Sequence, residues 1–175
     1  GTAMPREETC CFTGHRPDKL PWGGREDDPR CRALKDWLLR QVLAAYDLGY
    51  RHFISGMAQG CDLYFCEAVL LVKELHPQIR LEGAVPCRGQ ASRWPAAQRE
   101  RYQRLLDRCD LQTLVQERYT AGCMMRRNRY MVERSSRIIA VYDGLPGGTM
   151  QTLAYALRKG LEVVQADPGD WENAM

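Results

Sequence analysis

The stretch from Arg137 to Gly160 combines residues that suit the binding of an anion. The apolar, β-branched run 138–142 is typical of a buried strand, and 143–149, Asp-Gly-Leu-Pro-Gly-Gly-Thr, breaks it. We expect the Thr149 hydroxyl to cap a following helix that ends at Gly160. Free amides at such a helix start favour a phosphate, although a strand-to-helix turn can need glycine for its geometry alone.

Three more polar turns follow predicted strands. Gly14-His15-Arg16 places an imidazole and a guanidinium after the strand 9–13, and arginine binds phosphate or carboxylate bidentately. The segment Ser55 to Asp62 is a second glycine-rich turn, and Pro86 closes a third strand. The alternative for each turn taken alone is an ordinary surface loop.

The segment 126–129, Arg-Arg-Asn-Arg, lies in a predicted helix, 121–135. Clustered arginines usually mark a solvated face. Asn128 is a modest helix former, which suggests that its side chain is kept for a hydrogen bond.

The elements that position these residues alternate along the chain. We expect strands at 9–13, 51–55, 80–85, 111–115, 138–142 and 161–165, and helices at 31–48, 63–76, 96–108, 121–135 and 149–160. Alternation of this kind predicts an α/β fold with a mostly parallel sheet, right-handed crossovers and helices on both faces. Ligands of such sheets bind outside the carboxyl ends of the strands, where all four polar turns would meet. The inward-facing positions are predicted to include Leu75 and Leu157.

The termini and one connection fall outside this pattern. Residues 1–8 are interpreted as a vector-derived remnant, Gly1-Thr-Ala, plus a lead-in; 9–166 as one domain; and 167–175 as a tail. The Pro-, Gly- and charge-rich segment 19–30 is predicted to be a mobile loop.

Composition excludes several classes of function. The net charge of +3, from 25 basic and 22 acidic residues, is too small to indicate a nucleic-acid partner by itself, and no apolar run is long enough for a membrane span. Eight cysteines without a CxxC pair indicate a reducing, cytoplasmic location without a disulfide framework. The three histidines lack a metal-site spacing, so no metal is expected. Neither GxGxxG after the first strand nor GxxxxGK[ST] occurs.

Taken in order, the motifs resemble the YpsA-like family of the SLOG superfamily, over about residues 9–166. They are Thr13-Gly-His-Arg16, Ser55-Gly-Met-Ala-Gln-Gly-Cys-Asp62, the Gln90 and Trp94 spacing after Val85-Pro86, Arg127-Asn-Arg-Tyr-Met-Val132, Ala140-Val-Tyr-Asp-Gly144 and Gly147-Gly-Thr149. The superfamily includes the LOG-type phosphoribohydrolases and the DNA-processing protein DprA. The resemblance implies a Rossmann-like three-layer α/β/α sandwich with a pocket for a nucleotide or nucleotide-derived ligand.

One position departs from the LOG pattern, PGGxGTxxE. In the shorter stretch Pro146–Thr152, Thr152 stands where the catalytic Glu would be, while Arg127 matches the LOG-like arginine. Threonine cannot act as a carboxylate acid or base, and oxocarbenium-like cleavage normally uses carboxylates. The catalytic candidates are therefore Asp62 and Asp143, with Arg127.

Three functions remain open at this point. The first is a binding module, a sensor or carrier of a nucleotide derivative that needs no further cofactor. The alternatives are a nucleotide N-glycosidase and, less favoured, a DprA-like nucleic-acid binder. The predicted ligand-binding residues are Gly14, His15, Arg16, Ser55, Gly56, Asp62, Arg127, Asn128, Asp143, Gly144, Gly147, Gly148 and Thr149. A homodimer through the apolar helix Asp36–Leu48 is left open.

Overall fold

The computed structural model describes residues 4–173, so the predicted vector remnant, Gly1-Thr-Ala, lies outside the described residues. Strands and helices alternate throughout. They are β1 (Thr9–Gly14), α1 (Pro29–Asp47), β2 (His52–Ser55), α2 (Cys61–Leu75), β3 (Arg80–Val85), α3 (Ala96–Asp107), β4 (Leu111–Leu114), α4 (Cys123–Glu133), β5 (Arg137–Val141), α5 (Gly148–Arg158) and β6 (Glu162–Ala166).

The strands form one parallel sheet in the order β4-β3-β2-β1-β5-β6. The chain builds outward from β1 to β4 and then returns to the other side of β1, where β5 pairs with it from Cys10↔Arg137 to Gly14↔Val141. The strand order therefore reverses between β1 and β5. Such a reversal opens a crevice at the carboxyl ends of the two strands.

Successive side chains of each strand point to opposite faces of the sheet, and each face has its own hydrophobic core. Phe12 and Phe53 face α1, α2 and α3, whereas Cys11 and Ile54 face α4 and α5. Helices therefore cover both faces, which confirms the predicted three-layer α/β/α sandwich. All eight cysteines are free, and only Cys109 is not fully buried.

Helix α1 begins with a well-defined cap. The Asp28 side chain accepts a hydrogen bond from the Arg30 amide at 2.9 Å, and Pro29 occupies the first helical position, where its missing N–H costs nothing. The described part of the predicted tail packs against this helix, with the rings of Trp37 and Trp171 at 6.1 Å.

Two expectations about packing are wrong. The segment 19–30, predicted to be a mobile loop, carries Leu20 and Trp22 into the main core, with 5% and 2% of their surfaces exposed. Leu75 and Leu157 point outward, because Leu75 is the last residue of α2 and Leu157 lies one position around α5 from the buried Ala156.

Within residues 4–173, no helix is both long enough and apolar enough to cross a bilayer.

Candidate functional site

A cavity of about 300 Å³ opens at the carboxyl ends of β1 and β5, where the strand order reverses. It lies between the β1 turn, the start of α2, and helices α4 and α5. The predicted site residues in its lining are Gly14, His15, Arg16, Asp62, Arg127, Asn128, Gly148 and Thr149. Residues from four distant parts of the sequence thus meet at one place.

The N-terminus of α5 forms one wall of the cavity. Gly147 precedes the helix with φ +157° and ψ −168°, and no side chain caps the helix. The prediction that Thr149 is the cap is wrong, because the turn is tighter and Thr149 already lies inside the first helical turn. The amides of that turn have no acceptor within the helix. A Cβ on Gly148 would meet no atom within 4 Å, so this position is open.

Arg127 projects from α4 into the same cavity and is 4% exposed. Its Nη1 donates to the Gly56 carbonyl, and its Nε donates to Asn128 Oδ1 at 2.7 Å. Among the described residues, no carboxylate lies within 4.0 Å of the guanidinium. Burial lowers the pKa of Arg127, and the more distant Asp62 opposes that shift. The guanidinium still stays charged, so it is a buried cation without an ion-pair partner.

Gly56 is required by this arrangement. A Cβ at that position would lie 2.8 Å from Arg127 Cζ, so only glycine allows the guanidinium to pack on the turn after β2. Gly56 itself lies outside the cavity lining.

A chain of hydrogen bonds links α4 to the start of α5. Asn128 Nδ2 donates to Thr152 Oγ1 at 2.8 Å, and that hydroxyl donates to the Gly148 carbonyl at 2.9 Å. Thr152 is 1% exposed and does not line the cavity. Thr152 therefore links α4 to the first turn of α5.

Asp62 is the buried carboxylate of the cavity, with 6% of its surface exposed. Its Oδ2 accepts from the Ala58 amide at 3.0 Å. Burial raises the pKa of Asp62, although Arg127, the Ala58 amide and Arg16 act in the opposite direction. A carboxyl in this setting suits an acceptor for ligand hydroxyls or a proton donor.

His15 joins the ends of β1 and β5. Its Nε2 lies 3.1 Å from both the Asp143 amide, which donates to it, and Asp143 Oδ1. Burial alone would raise the pKa of Asp143, but the Leu145 amide and His15 outweigh it and lower the pKa. Asp143 and Gly144 lie outside the cavity lining, and of the two it is Asp143 that contacts His15.

Ser55 is fully buried and also outside the lining. Its hydroxyl donates to the Asp62 carbonyl at 3.0 Å and accepts from the Met57 amide at 3.2 Å. It therefore shapes the turn that presents Asp62. Gly147 lies behind the lining residues as well, with Lys19 Nζ 2.8 Å from the position its Cβ would take.

The sequence interpretation missed Lys19, which lines the cavity, and the wall residues Asp18, Met124 and Met131. The available signal was proximity in sequence, since Lys19 follows Arg16 by three positions on the turn after β1. Arg16 and Lys19 are exposed. Within residues 4–173 neither has a carboxylate within 4.0 Å. The cavity lining thus holds three cations, Arg16, Lys19 and Arg127, and the N-terminus of α5, against the two carboxylates of Asp18 and Asp62. This excess of positive charge favours an anion in the cavity.

These features define a Rossmann-like α/β protein with a cleft at its topological switch point. A sequence model of the family described as the YspA SLOG family (YpsA) matches residues 10–163, and the chain belongs to that family. Similar proteins include the uncharacterized SPbeta prophage-derived protein YoqJ of Bacillus subtilis, 35% identical over 74% of this chain and 83% of that protein. The UPF0398 protein BH1768 of Halalkalibacterium halodurans is 29% identical over 72% of this chain and 68% of its own length.

Two solved structures share the fold. One is DNA processing protein A from Helicobacter pylori, whose structure report concerns its single-stranded DNA binding mode. It matches with a TM-score of 0.61 and 17% identity, covering 93% of this chain and 69% of that chain. The other is DprA from Streptococcus pneumoniae, with a TM-score of 0.57 and 14% identity over 91% of this chain and 50% of that chain. At such identities the likeness establishes the fold alone.

Proposed function

We propose that this protein binds a nucleotide or nucleotide-derived ligand in the cavity at the carboxyl edge of the sheet, as a sensor or carrier. The observation that supports this most directly is Arg127. A buried guanidinium is costly unless its charge is compensated. Because no described carboxylate is within reach, an anionic ligand group in the cavity is the natural partner.

The lining suggests how such a ligand would lie. A phosphate fits the first-turn amides of α5, at Gly148 and Thr149, with Arg16, Lys19 and Arg127 around it. Asp62 is placed to accept hydrogen bonds from ribose hydroxyls, a role that carboxylates commonly take in Rossmann-like folds. The apolar side chains of Phe12, Met124 and Met131 suit a flat base.

A thermal-shift and calorimetric screen tests this proposal. The panel contains AMP, ADP, ADP-ribose, NAD and cyclic dinucleotides, because a ligand that binds only the folded protein raises its apparent stability. We expect one class to bind, and Gly148→Val to weaken that binding by at least about tenfold, since the new side chain would occupy the open space at the anion site.

Gly24→Val is the matched control, because a Cβ there also meets nothing within 4 Å and Gly24 lies away from the cavity lining. Both variants should melt within a few degrees of the parent. Equal affinity in Gly148→Val and Gly24→Val would remove the α5 turn from the binding site, and no shift with any compound would contradict the proposal.

A nucleotide N-glycosidase is the second candidate, and the environment of Asp62 favours it. Burial raises the pKa of this carboxyl, as a proton donor at neutral pH needs. Asp143, by contrast, lies outside the lining and has a lowered pKa. If the protein is an enzyme, Asp62 is the acid.

Release of free base from nucleoside monophosphates and ADP-ribose measures this activity. We expect an enzyme to lose about 100-fold or more in rate in Asp62→Asn, with Asp143→Asn less affected. No base release by the parent protein above the Asp62→Asn background would exclude the enzymatic alternative and leave the binding proposal intact.

A further inference from the structure

Strand β4 forms one edge of the sheet, and no described strand pairs with its outer side. Leu111 and Leu114 on it are 48% and 36% exposed. An exposed edge with apolar side chains presents unpaired backbone groups, which natural proteins usually cover or disrupt.

Two grooves flank this edge, one on each face of the sheet. The groove on the α3 side has a volume of about 680 Å³, and the groove on the α4 side has a volume of about 350 Å³. Thr113 and Leu114 line both grooves. A strand added beside β4 would therefore place its alternate side chains in one groove and then the other.

Arginines line both grooves. They are Arg88 and Arg99 on the α3 side, and Arg126, Arg129 and Arg134 on the α4 side. Only Arg88 has a carboxylate partner in residues 4–173, Glu117. The carboxylate in the α4-side groove, Glu133, accepts a hydrogen bond from the Tyr155 hydroxyl at 2.5 Å.

The charge that lines the two grooves is therefore mostly positive. Five arginines and one carboxylate, Glu133, belong to the lining, although the whole chain carries only +3.

We propose that the β4 edge binds an extended acidic segment of a partner protein, which adds to the sheet as a seventh strand. Backbone hydrogen bonds to β4 would supply affinity, and the two arginine-lined grooves would select for acidic side chains. This surface is separate from the cavity at β1 and β5, and the inference does not depend on the ligand proposal.

Two other occupants fit less well. Single-stranded nucleic acid is held largely by stacking on exposed aromatic rings. The groove tyrosines are not free for this, because Tyr102 is 8% exposed and Arg134 covers Tyr130 at 3.9 Å. A second copy pairing through β4 would bring like-charged arginine clusters together.

Fluorescence anisotropy with a labelled peptide of about eight residues, alternating Glu and Val, tests the proposal. We expect binding below about 1 mM that weakens with salt. The same peptide N-methylated on alternate amides keeps its charges but cannot pair with β4 through those amides. It should bind at least about tenfold more weakly.

Charge-reversal variants of the protein test whether the groove arginines contribute to peptide binding. Arg126→Glu with Arg129→Glu reverses two groove charges and should weaken the acidic peptide by at least about tenfold. Arg158→Glu with Lys159→Glu, at the C-terminal end of α5 and outside both grooves, is the matched control and should bind like the parent. Circular dichroism melts check that both double variants fold.

Three results would overturn the inference: no binding up to about 1 mM, equal binding of the N-methylated peptide, or equal loss in the two double variants. Tighter binding of an oligo(dT) strand would instead assign the surface to nucleic acid. Self-association lost in Arg126→Glu with Arg129→Glu would assign it to a second copy.

Discussion

At the scale of single residues, Glu82 is the most constrained carboxylate outside the cavity. It is 2% exposed on β3. His52 Nε2 lies 2.6 Å from its Oε1, while Thr113 and Tyr130 hydroxyls donate to its Oε2 at 2.8 and 2.5 Å. Burial alone would raise the pKa of Glu82, but these partners outweigh it and lower the pKa below 4.5.

Glu82→Gln should therefore destabilise the fold by about 2–4 kcal/mol, because the buried network loses its charge and one of the two acceptor oxygens becomes an NH2 donor. Urea unfolding at neutral pH measures this cost. Glu100→Gln, on the exposed surface of α3, is the control and should stay within about 0.5 kcal/mol of the parent.

The same network predicts how stability depends on pH. A carboxyl whose pKa is lower in the folded state contributes stability above its unfolded pKa, about 4.5, and loses it as the pH falls through the folded value. The free energy of unfolding should thus decline below pH 4.5 less steeply in Glu82→Gln than in the parent. The same slope of the free energy of unfolding against pH below 4.5 in the two proteins would contradict this prediction.

At the scale of elements, the hydrogen-bond chain from Asn128 through Thr152 to the Gly148 carbonyl ties α4 to the first turn of α5. Thr152→Val keeps the volume but removes the hydroxyl. We expect a loss of about 1–2 kcal/mol in the free energy of unfolding, since the Asn128 amide loses its acceptor.

Thr152→Ser restores the hydroxyl and is the matched control, so it should recover most of that loss. Chemical denaturation distinguishes the two variants. A larger loss in Thr152→Ser than in Thr152→Val would mean that the methyl group, and not the hydroxyl, carries the effect.

The elements themselves could be predicted because their signals are local. The strand Arg80–Val85 lies between a polar turn and Pro86, and its predicted bounds match the structure. Glycine turns after β1 and β5 also indicated which edge holds the cavity. The family resemblance was confirmed by the match over residues 10–163.

What could not be predicted depends on long-range packing. Nothing near Thr152 in the sequence indicates Asn128 as its partner, 24 residues away. Trp22 is buried, but its charged and turn-forming neighbours in the segment after β1 indicated a mobile loop. Ser55 is the last residue of β2 and His15 follows β1, yet only a three-dimensional structure reveals that the Ser55 hydroxyl bonds to the backbone and does not line the cavity.

At the scale of the whole molecule, the described residues before β1 and after β6, 4–8 and 167–173, include some that pack against the rest of the structure. Arg6 Nε donates to the Ser135 carbonyl at 3.0 Å, and Trp171 packs on Trp37. The two proposed binding surfaces lie apart on this body, one where β1 meets β5 and one along the free side of β4.

The return of the chain from β4 to β5 has a consequence for protein synthesis. β1 leaves the ribosome well before its neighbour β5, which begins only at Arg137, and the His15–Asp143 contact joins residues 128 positions apart. Until then the nascent chain carries a central strand with one side unpaired, and the walls of the cavity cannot close. The cavity can therefore form only after β5 and the first turn of α5, which supplies Gly148 and Thr149 to its wall, have been synthesised.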